Sequence, residues 1–249
     1  MFHYAIESDT GKKREVNEDR AAVLKRQDGL LLAMVADGMG GHKAGDVASE
    51  MTISTLSKLF SEEKLEAFST VENRKAWLTI NVQHVNRLVY DHSLVHPECK
   101  GMGTTLIAAL IDNEDCVICH IGDSRAYVIN DAVEQVTRDH SYVNVLVDSG
   151  EISEEEAEFH PKKNWIIKAL GTEPDIDGEI LHFTLAHSSY LLICSDGLSN
   201  KVSKDDLADI VRSSNPLSQK GKELVDLAND LGGEDNITVV LLASMAEEV

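Results

Sequence analysis

Proline and cysteine are scarce, four of each in 249 residues. With so few prolines, no Pro/Gly/Ser-rich linker divides the chain, and no internal repeat or low-complexity tract appears. The simpler reading is a single domain over residues 1–249, a size that one domain can reach. Such a chain buries roughly three quarters of its unfolded surface, so it needs no disulfide or metal staple to fold. The one close cysteine pair, Cys116 and Cys119, lies inside a strand-like run, 115–121. Its thiols should point to opposite faces, and no second Cys-x-x-Cys exists to complete a zinc site. The four cysteines read as buried thiols of a reducing compartment.

Long apolar runs are also missing. The longest, 30–36, 106–111 and 190–194, fall far short of the ~18 residues that span a bilayer. The opening Met1-Phe2-His3-Tyr4 lacks the basic-then-apolar pattern of a signal peptide, so a cytoplasmic location is expected. Cations are outnumbered: 23 Lys and Arg face 43 Asp and Glu, a formal charge of −20. That balance disfavours nucleic acid as a partner, and an anionic membrane surface equally. A surplus of carboxylates suits divalent cations, although an acidic surface alone ordinarily serves solubility.

Short stretches rich in β-branched residues predict strands over 2–8, 21–24, 30–36, 104–111, 116–121, 125–129, 180–184, 190–195 and 236–243. Apolar residues at helical spacing predict helices over 45–60, 71–91 and 216–231. The helices come as one pair and then late, while strands run consecutively from 104 to 129. This blocky order predicts an α+β fold of antiparallel strands with helices outside, not a doubly wound sheet. The polar stretch 141–170, which holds the acidic run 151–158, is expected to form a surface flap lobe beside the site.

Acidic residues recur at strand ends next to glycine. The apolar run 30–36 leads into Asp37-Gly38-Met39-Gly40-Gly41-His42, 117–121 into Gly122-Asp123-Ser124-Arg125, and 191–195 into Asp196-Gly197. Gly232-Gly233-Glu234-Asp235-Asn236 precedes the last strand, and Glu18-Asp19 precedes the second, with Arg14 just upstream. One Asp-Gly alone is ordinarily a turn. Five acidic strand ends gathered on one edge would crowd negative charge at high cost unless cations are present. The donors are hard oxygens, which suit Mg²⁺ or Mn²⁺ and not Zn²⁺. Two such ions ~3.5–4 Å apart can hold a hydroxide for in-line attack on a phosphoryl group, which an arginine grips through two oxygens.

The ordered motifs Arg14-x-x-x-Glu18-Asp19, Asp37 to His42, Gly103-Thr104-Thr105, Gly122 to Arg125, Asp139-His140-Ser141, Ser195-Asp196-Gly197 and Asp235-Asn236 resemble those of metal-dependent protein phosphatases of the PPM type. The chain is most similar to their short, single-domain bacterial branch, from Glu7 to about Ala243. The resemblance implies a four-layer α-β-β-α sandwich, two antiparallel sheets flanked by helix pairs, which hydrolyses phosphoserine and phosphothreonine in proteins. It implies Asp37 as a bridge between two core Mn²⁺ or Mg²⁺ ions, with the Gly38 carbonyl on one of them. Asp196 and Asp235 would complete the first ion's ligands, Glu18 or Asp19 would serve the second, and Asp123 would hold a third, weaker ion. Arg14 would grip the phosphate. Phosphoproteins and a cognate Ser/Thr kinase are the implied partners of a monomer.

One position departs from the animal members, which carry a histidine, assigned as general acid, where this chain has Met39. Methionine donates no proton, so the task falls to a metal-held water near Asp123, to His42 or to His140. Two other classes make different demands on the sequence. A non-catalytic phosphoprotein- or kinase-binding module of the same fold should lack at least one of Arg14, Asp37, Asp196 and Asp235. A calcium-binding structural protein should carry an Asp-x-[Asp/Asn]-x-[Asp/Asn]-Gly loop with a distal glutamate, and none is present.

Overall fold

The computed structural model describes residues 2–41 and 44–244. The expectation for His42 therefore falls outside the described residues. In chain order the strands are β1 (Phe2–Asp9), β2 (Asp19–Lys25), β3 (Leu31–Met39), β4 (Gly103–Thr104), β5 (Leu106–Asp112), β6 (Asp115–Ile121), β7 (Arg125–Ile129), β8 (Val133–Gln135), β9 (Glu179–Thr184), β10 (Tyr190–Cys194) and β11 (Ile237–Ser244). The helices are α1 (Ala44–Glu62), α2 (Val71–Val95), α3 (Tyr142–Asp148), α4 (Glu154–Glu158), α5 (Asp196–Ser199), α6 (Lys204–Arg212) and α7 (Leu217–Asp230). One sheet runs β1-β11-β10-β7-β8. The other runs β2-β3-β5-β6-β9, with β4 hydrogen-bonded to the end of β3. The pairings within both sheets are antiparallel.

The strands are apolar on both faces because both are covered. In β3, Leu31, Ala33 and Val35 point between the sheets and meet Ile193, Val240 and Leu242, while Leu32, Met34 and Ala36 point outward against Leu56, Phe60 and Leu78 of α1 and α2. This is the period-two alternation of a strand buried on both sides. On the far side, Leu192, Cys194, Val239 and Leu241 pack under Leu198, Leu207, Val211 and Leu224 of α5, α6 and α7. Three cores between four layers give the expected α-β-β-α sandwich. The same alternation sends Cys116 into the central core and Cys119 into the α1/α2 core, so the two thiols face away from each other.

The structure adds elements that periodicity did not show. Strand β8 has only three residues, and α3, α4 and α5 are one or two turns long. Helix α6 buries Leu207, Ala208 and Val211 after Ser203, whose hydroxyl accepts from Asp206 N. A nine-residue helix gives only that one short recurrence. The predicted strand 104–111 is broken in two. The amide of Thr105 leaves the ladder and donates to Asp37 O at 2.8 Å. Between β8 and β9 the chain leaves both sheets, carries α3 and α4, and returns through bridges Ser141–Ile166 and Thr104–Leu170.

Candidate metal centre

Strand β3 delivers Asp37, and two threonines fix its peptide. Thr104 Oγ1 and Thr105 N donate to Asp37 O at 2.9 and 2.8 Å, and Asp37 N donates to Thr105 Oγ1 at 3.0 Å. Thr105 Oγ1 also meets Ser124 Oγ at 2.7 Å, which ties Asp37 to the Asp123 turn. The register of β2 on β3 places Asp19 directly opposite Asp37. The Ser195 hydroxyl donates to Asp19 Oδ2 at 2.7 Å and accepts from Thr238 N at 3.0 Å, so the sheet of β10 and β11 orients a carboxylate of the sheet of β2 and β3. Asp196 follows β10, and its carboxyl and that of Asp37 act on each other. Asp235 precedes β11 and takes Arg14 Nη2 at 2.8 Å. Asn236 accepts from Glu18 N and donates to Thr10 O and Val16 O, which pins the Arg14 segment against the start of β11.

The electrostatics match the crowding foreseen. Desolvation first, then Asp19, Asp196, Asp123 and Asp235, holds the Asp37 carboxyl well above its ordinary range. Burial lifts Asp19 to about 6 against the relief offered by Ser195 and Thr238. Burial and Asp235 lift Asp196 to about 6. Asp123 is pushed to about 8 by burial, Asp196 and Asp139. Such a set opposes its own ionisation and needs positive charge to ionise together.

The donor set fits divalent cations on a second ground. Asp19 Oδ1, Asp123 Oδ1 and Glu18 Oε1 are buried without a hydrogen-bond partner. Orphaned buried carboxylate oxygens are costly, and hard cations are the ligands they suit. Glu18 stands apart from the others. Burial raises it, and its carboxyl lies against Gly45 and Asp46 at the start of α1, with Arg14 acting on it. Of the two acidic neighbours, Asp19 is the one that joins the Asp37 cluster. Gly38 is required sterically, because a Cβ there would fall 2.1 Å from Gly45 O and 2.7 Å from Glu18 O. Gly38→Ala is therefore expected to displace α1 from β3 and lower both melting temperature and divalent-cation affinity, which calorimetry on one sample reads together.

His140 is engaged by the fold. Its Nδ1 accepts from Gly122 N at 3.0 Å, so that nitrogen carries no proton to give, and its Nε2 lies 3.8 Å from the Glu179 carboxylate. Thr104 and Thr105, which sheet packing alone would explain, in fact hold the Asp37 peptide. Ser195 and Asn236 belong to quoted motifs, yet their orienting roles rest on partners 176 and more residues away. A cleft of about 880 Å³ opens beside Asp123 and Asp196. Its far wall comes from the 141–170 segment through Asn144, Phe159 and Lys163.

Comparison with known proteins follows the same line. Residues 10–231 match the family described as protein phosphatase 2C. The chain is 41% identical over 242 residues to the serine/threonine phosphatase stp of Listeria welshimeri, covering 97% of this chain and 95% of that one. Its structure superposes on serine/threonine phosphatase Stp1 from Staphylococcus aureus with a TM-score of 0.92 at 37% identity, over 99% of this chain and 96% of that one. It superposes on the catalytic domain of the phosphatase PstP, solved with two manganese ions, with a TM-score of 0.85 at 33% identity, over 98% and 99% of the two chains. This chain belongs to the protein phosphatase 2C family.

Proposed function

We propose that this protein hydrolyses phosphoserine and phosphothreonine in proteins with Mn²⁺ or Mg²⁺. The observation that carries the reading is the gathering of Asp19, Asp37, Asp123, Asp196 and Asp235 at one end of the sandwich, with orphaned carboxylate oxygens among them. Asp37, the Gly38 carbonyl, Asp196 and Asp235 are the proposed holders of the core ions, with Asp19 and, from the side of α1, Glu18 completing the set. When bound, the ions supply charge neutralisation and a nucleophilic water near neutral pH. The manganese found in the PstP relative supports this assignment. Colorimetric phosphate release from a phosphothreonine peptide, with and without EDTA, tests it, and chelator-resistant turnover refutes it. The non-catalytic alternative is disfavoured because Arg14, Asp37, Asp196 and Asp235 are all present and three of them meet in one cluster.

The chain's own groups divide the remaining work. Arg14, half exposed at the edge of the cluster, is assigned to the substrate phosphate. Its hold is made in ground and transition states alike, so Arg14→Ala should raise KM about tenfold and leave Mn²⁺ affinity in place. An unchanged KM in steady-state kinetics would assign Arg14 to Asp235 alone. Asp123 is assigned to departure of the leaving alcohol, the proton-dependent step that Met39 cannot assist. Asp123→Asn should cut phosphopeptide turnover by about 10²-fold, the usual worth of acid–base assistance. Hydrolysis of para-nitrophenyl phosphate, whose leaving group needs little proton, should fall far less. Equal loss on both substrates in parallel assays removes Asp123 from that step.

The chain is further proposed to act as one domain with 141–170 as its flap, as a monomer, on phosphoproteins made by a cognate Ser/Thr kinase. A cytoplasmic location accords with the absence, among the described residues, of any helix long and apolar enough to cross a membrane.

A further inference from the structure

The Asp123 turn is held from behind by a residue that the reaction itself does not use. Gly122 has φ +103, and a Cβ on it would lie 2.6 Å from Thr105 Cγ2, so the turn is pressed against the threonine that also holds Asp37. On its other side, His140 meets Gly122 twice. His140 N donates to Gly122 O at 2.8 Å, and His140 Nδ1 accepts from Gly122 N at 3.0 Å. The neighbouring Asp139 grips Arg125 through bonds of 2.7, 3.0 and 3.1 Å, so residues 139 and 140 bracket Asp123 and Ser124 from both ends.

The second Gly122 bond requires an unprotonated Nδ1. Glu179 supplies the condition: its Oε2 lies 3.8 Å from His140 Nε2 and 3.5 Å from His120 Nδ1, where an acceptor favours the proton on Nε2 of His140. Burial, with help from His120 and Lys168, holds His140 at about 4, so it is neutral at ordinary pH. The three side chains have ligand-type atoms within 4.8 Å of one another, which invites a second metal site. Two facts speak against it. The His120 and His140 rings are stacked at 4.7 Å with only 21° between planes, so their in-plane lone pairs do not converge. In addition, the free lone pair of His140 is already spent on Gly122.

We infer that His140 is a positioning residue for the reaction: its neutral Nδ1 locks the Gly122 peptide and thereby sets where the Asp123 carboxylate stands relative to Asp37. The inference rests on the role proposed above for Asp123. The same residue also ties the 141–170 segment to the turn, since Ile167 N donates to His140 O at 2.9 Å.

The test compares two polar replacements of similar size. In His140→Asn the amide oxygen can take the place of Nδ1, whereas in His140→Gln the polar atoms reach the place of Nε2 and Gly122 N–H loses its acceptor. Turnover of a phosphothreonine peptide and of para-nitrophenyl phosphate is measured for both, for Asp123→Asn, and for the His140→Gln/Asp123→Asn double variant, with Mn²⁺ half-saturation and melting temperature recorded. His140→Gln is expected to lose about 10–100-fold on the phosphopeptide, the usual cost of losing such an outer partner. It should lose little on para-nitrophenyl phosphate, keep its Mn²⁺ half-saturation, and add nothing in the Asp123→Asn background. His140→Asn should retain the wild-type ratio of the two activities. If Asp123→Asn is damaging but His140→Gln leaves that ratio unchanged, or multiplies with Asp123→Asn, His140 does not position Asp123. If Asp123→Asn is itself silent, the role given to Asp123 fails and this inference falls with it.

Discussion

Asp37→Asn is expected to abolish phosphate release while leaving the fold intact. Asp37 is the carboxylate on which Asp19, Asp196, Asp123 and Asp235 all act, and it is among the proposed holders of the core ions. Its loss should exceed the ~10²–10³-fold that follows removal of one fixed electrostatic donor from an active site. The peptide around it is held by Thr104 and Thr105 through backbone atoms, which the amide leaves untouched. Folding should therefore survive, and circular dichroism beside a turnover assay checks both halves. A further consequence separates this account from a purely structural role. In EDTA at pH 8 the variant should melt above the wild type, because one of the mutually repelling carboxylates is gone. Mn²⁺ should then stabilise it less than it stabilises the wild type.

The metal-free wild type should lose stability as pH rises from about 4 to about 8. Asp19, Asp37, Asp123 and Asp196 are all raised in the folded protein, to about 6 for Asp19 and Asp196 and about 8 for Asp123. An unfolded aspartate titrates at about 3.9. Between those limits the folded state binds more protons than the unfolded one, so unfolding becomes easier with each step upward in pH. Below pH 4 both states are protonated and these groups cease to oppose folding. Each unit of raised pKa corresponds to about 1.4 kcal/mol, although coupling within the cluster means the shifts do not simply add. Mn²⁺ replaces the protons. At 100 times its dissociation constant each ion adds about 2.7 kcal/mol, and for a chain of this size each kcal/mol is worth about 2–4 °C. Thermal melts across pH, with EDTA and with Mn²⁺, should show a falling line that the cation lifts most at high pH. A melting temperature that rises with pH in EDTA would contradict the carboxylate assignment.

Much of this was legible because the chemistry sits at strand ends. The apolar run of a strand covered on both faces gives out where water or a cation must reach, and near that point in β3, β10 and the lead into β7 stands an aspartate beside glycine. The order of the elements indicated antiparallel strands with helices outside, and the four layers came from the family resemblance. The partners that orient the carboxylates were harder to read. Ser195 reaches Asp19 across 176 residues, and Asn236 reaches Glu18 across 218. No local pattern records such a contact. Which of Glu18 and Asp19 stands opposite Asp37 needed the register of β2 on β3, because adjacent strand residues face opposite ways and a one-residue slip exchanges them. The setting of His140 was hidden for the same reason. Its motif is visible in the sequence, but the direction of its two nitrogens is set by Gly122 and Glu179, which come from other strands. Short elements escaped too, among them β8 and α6, because three to nine residues scarcely establish a period.

The central claim is that the carboxylate cluster acts only through the cations it holds. Its most direct measurement is phosphate release from a phosphothreonine peptide by protein first stripped with chelator and then titrated with Mn²⁺. The account predicts no turnover in the stripped protein and saturable recovery as Mn²⁺ is added. Turnover by the stripped protein equal to that of the Mn²⁺-loaded protein would contradict it.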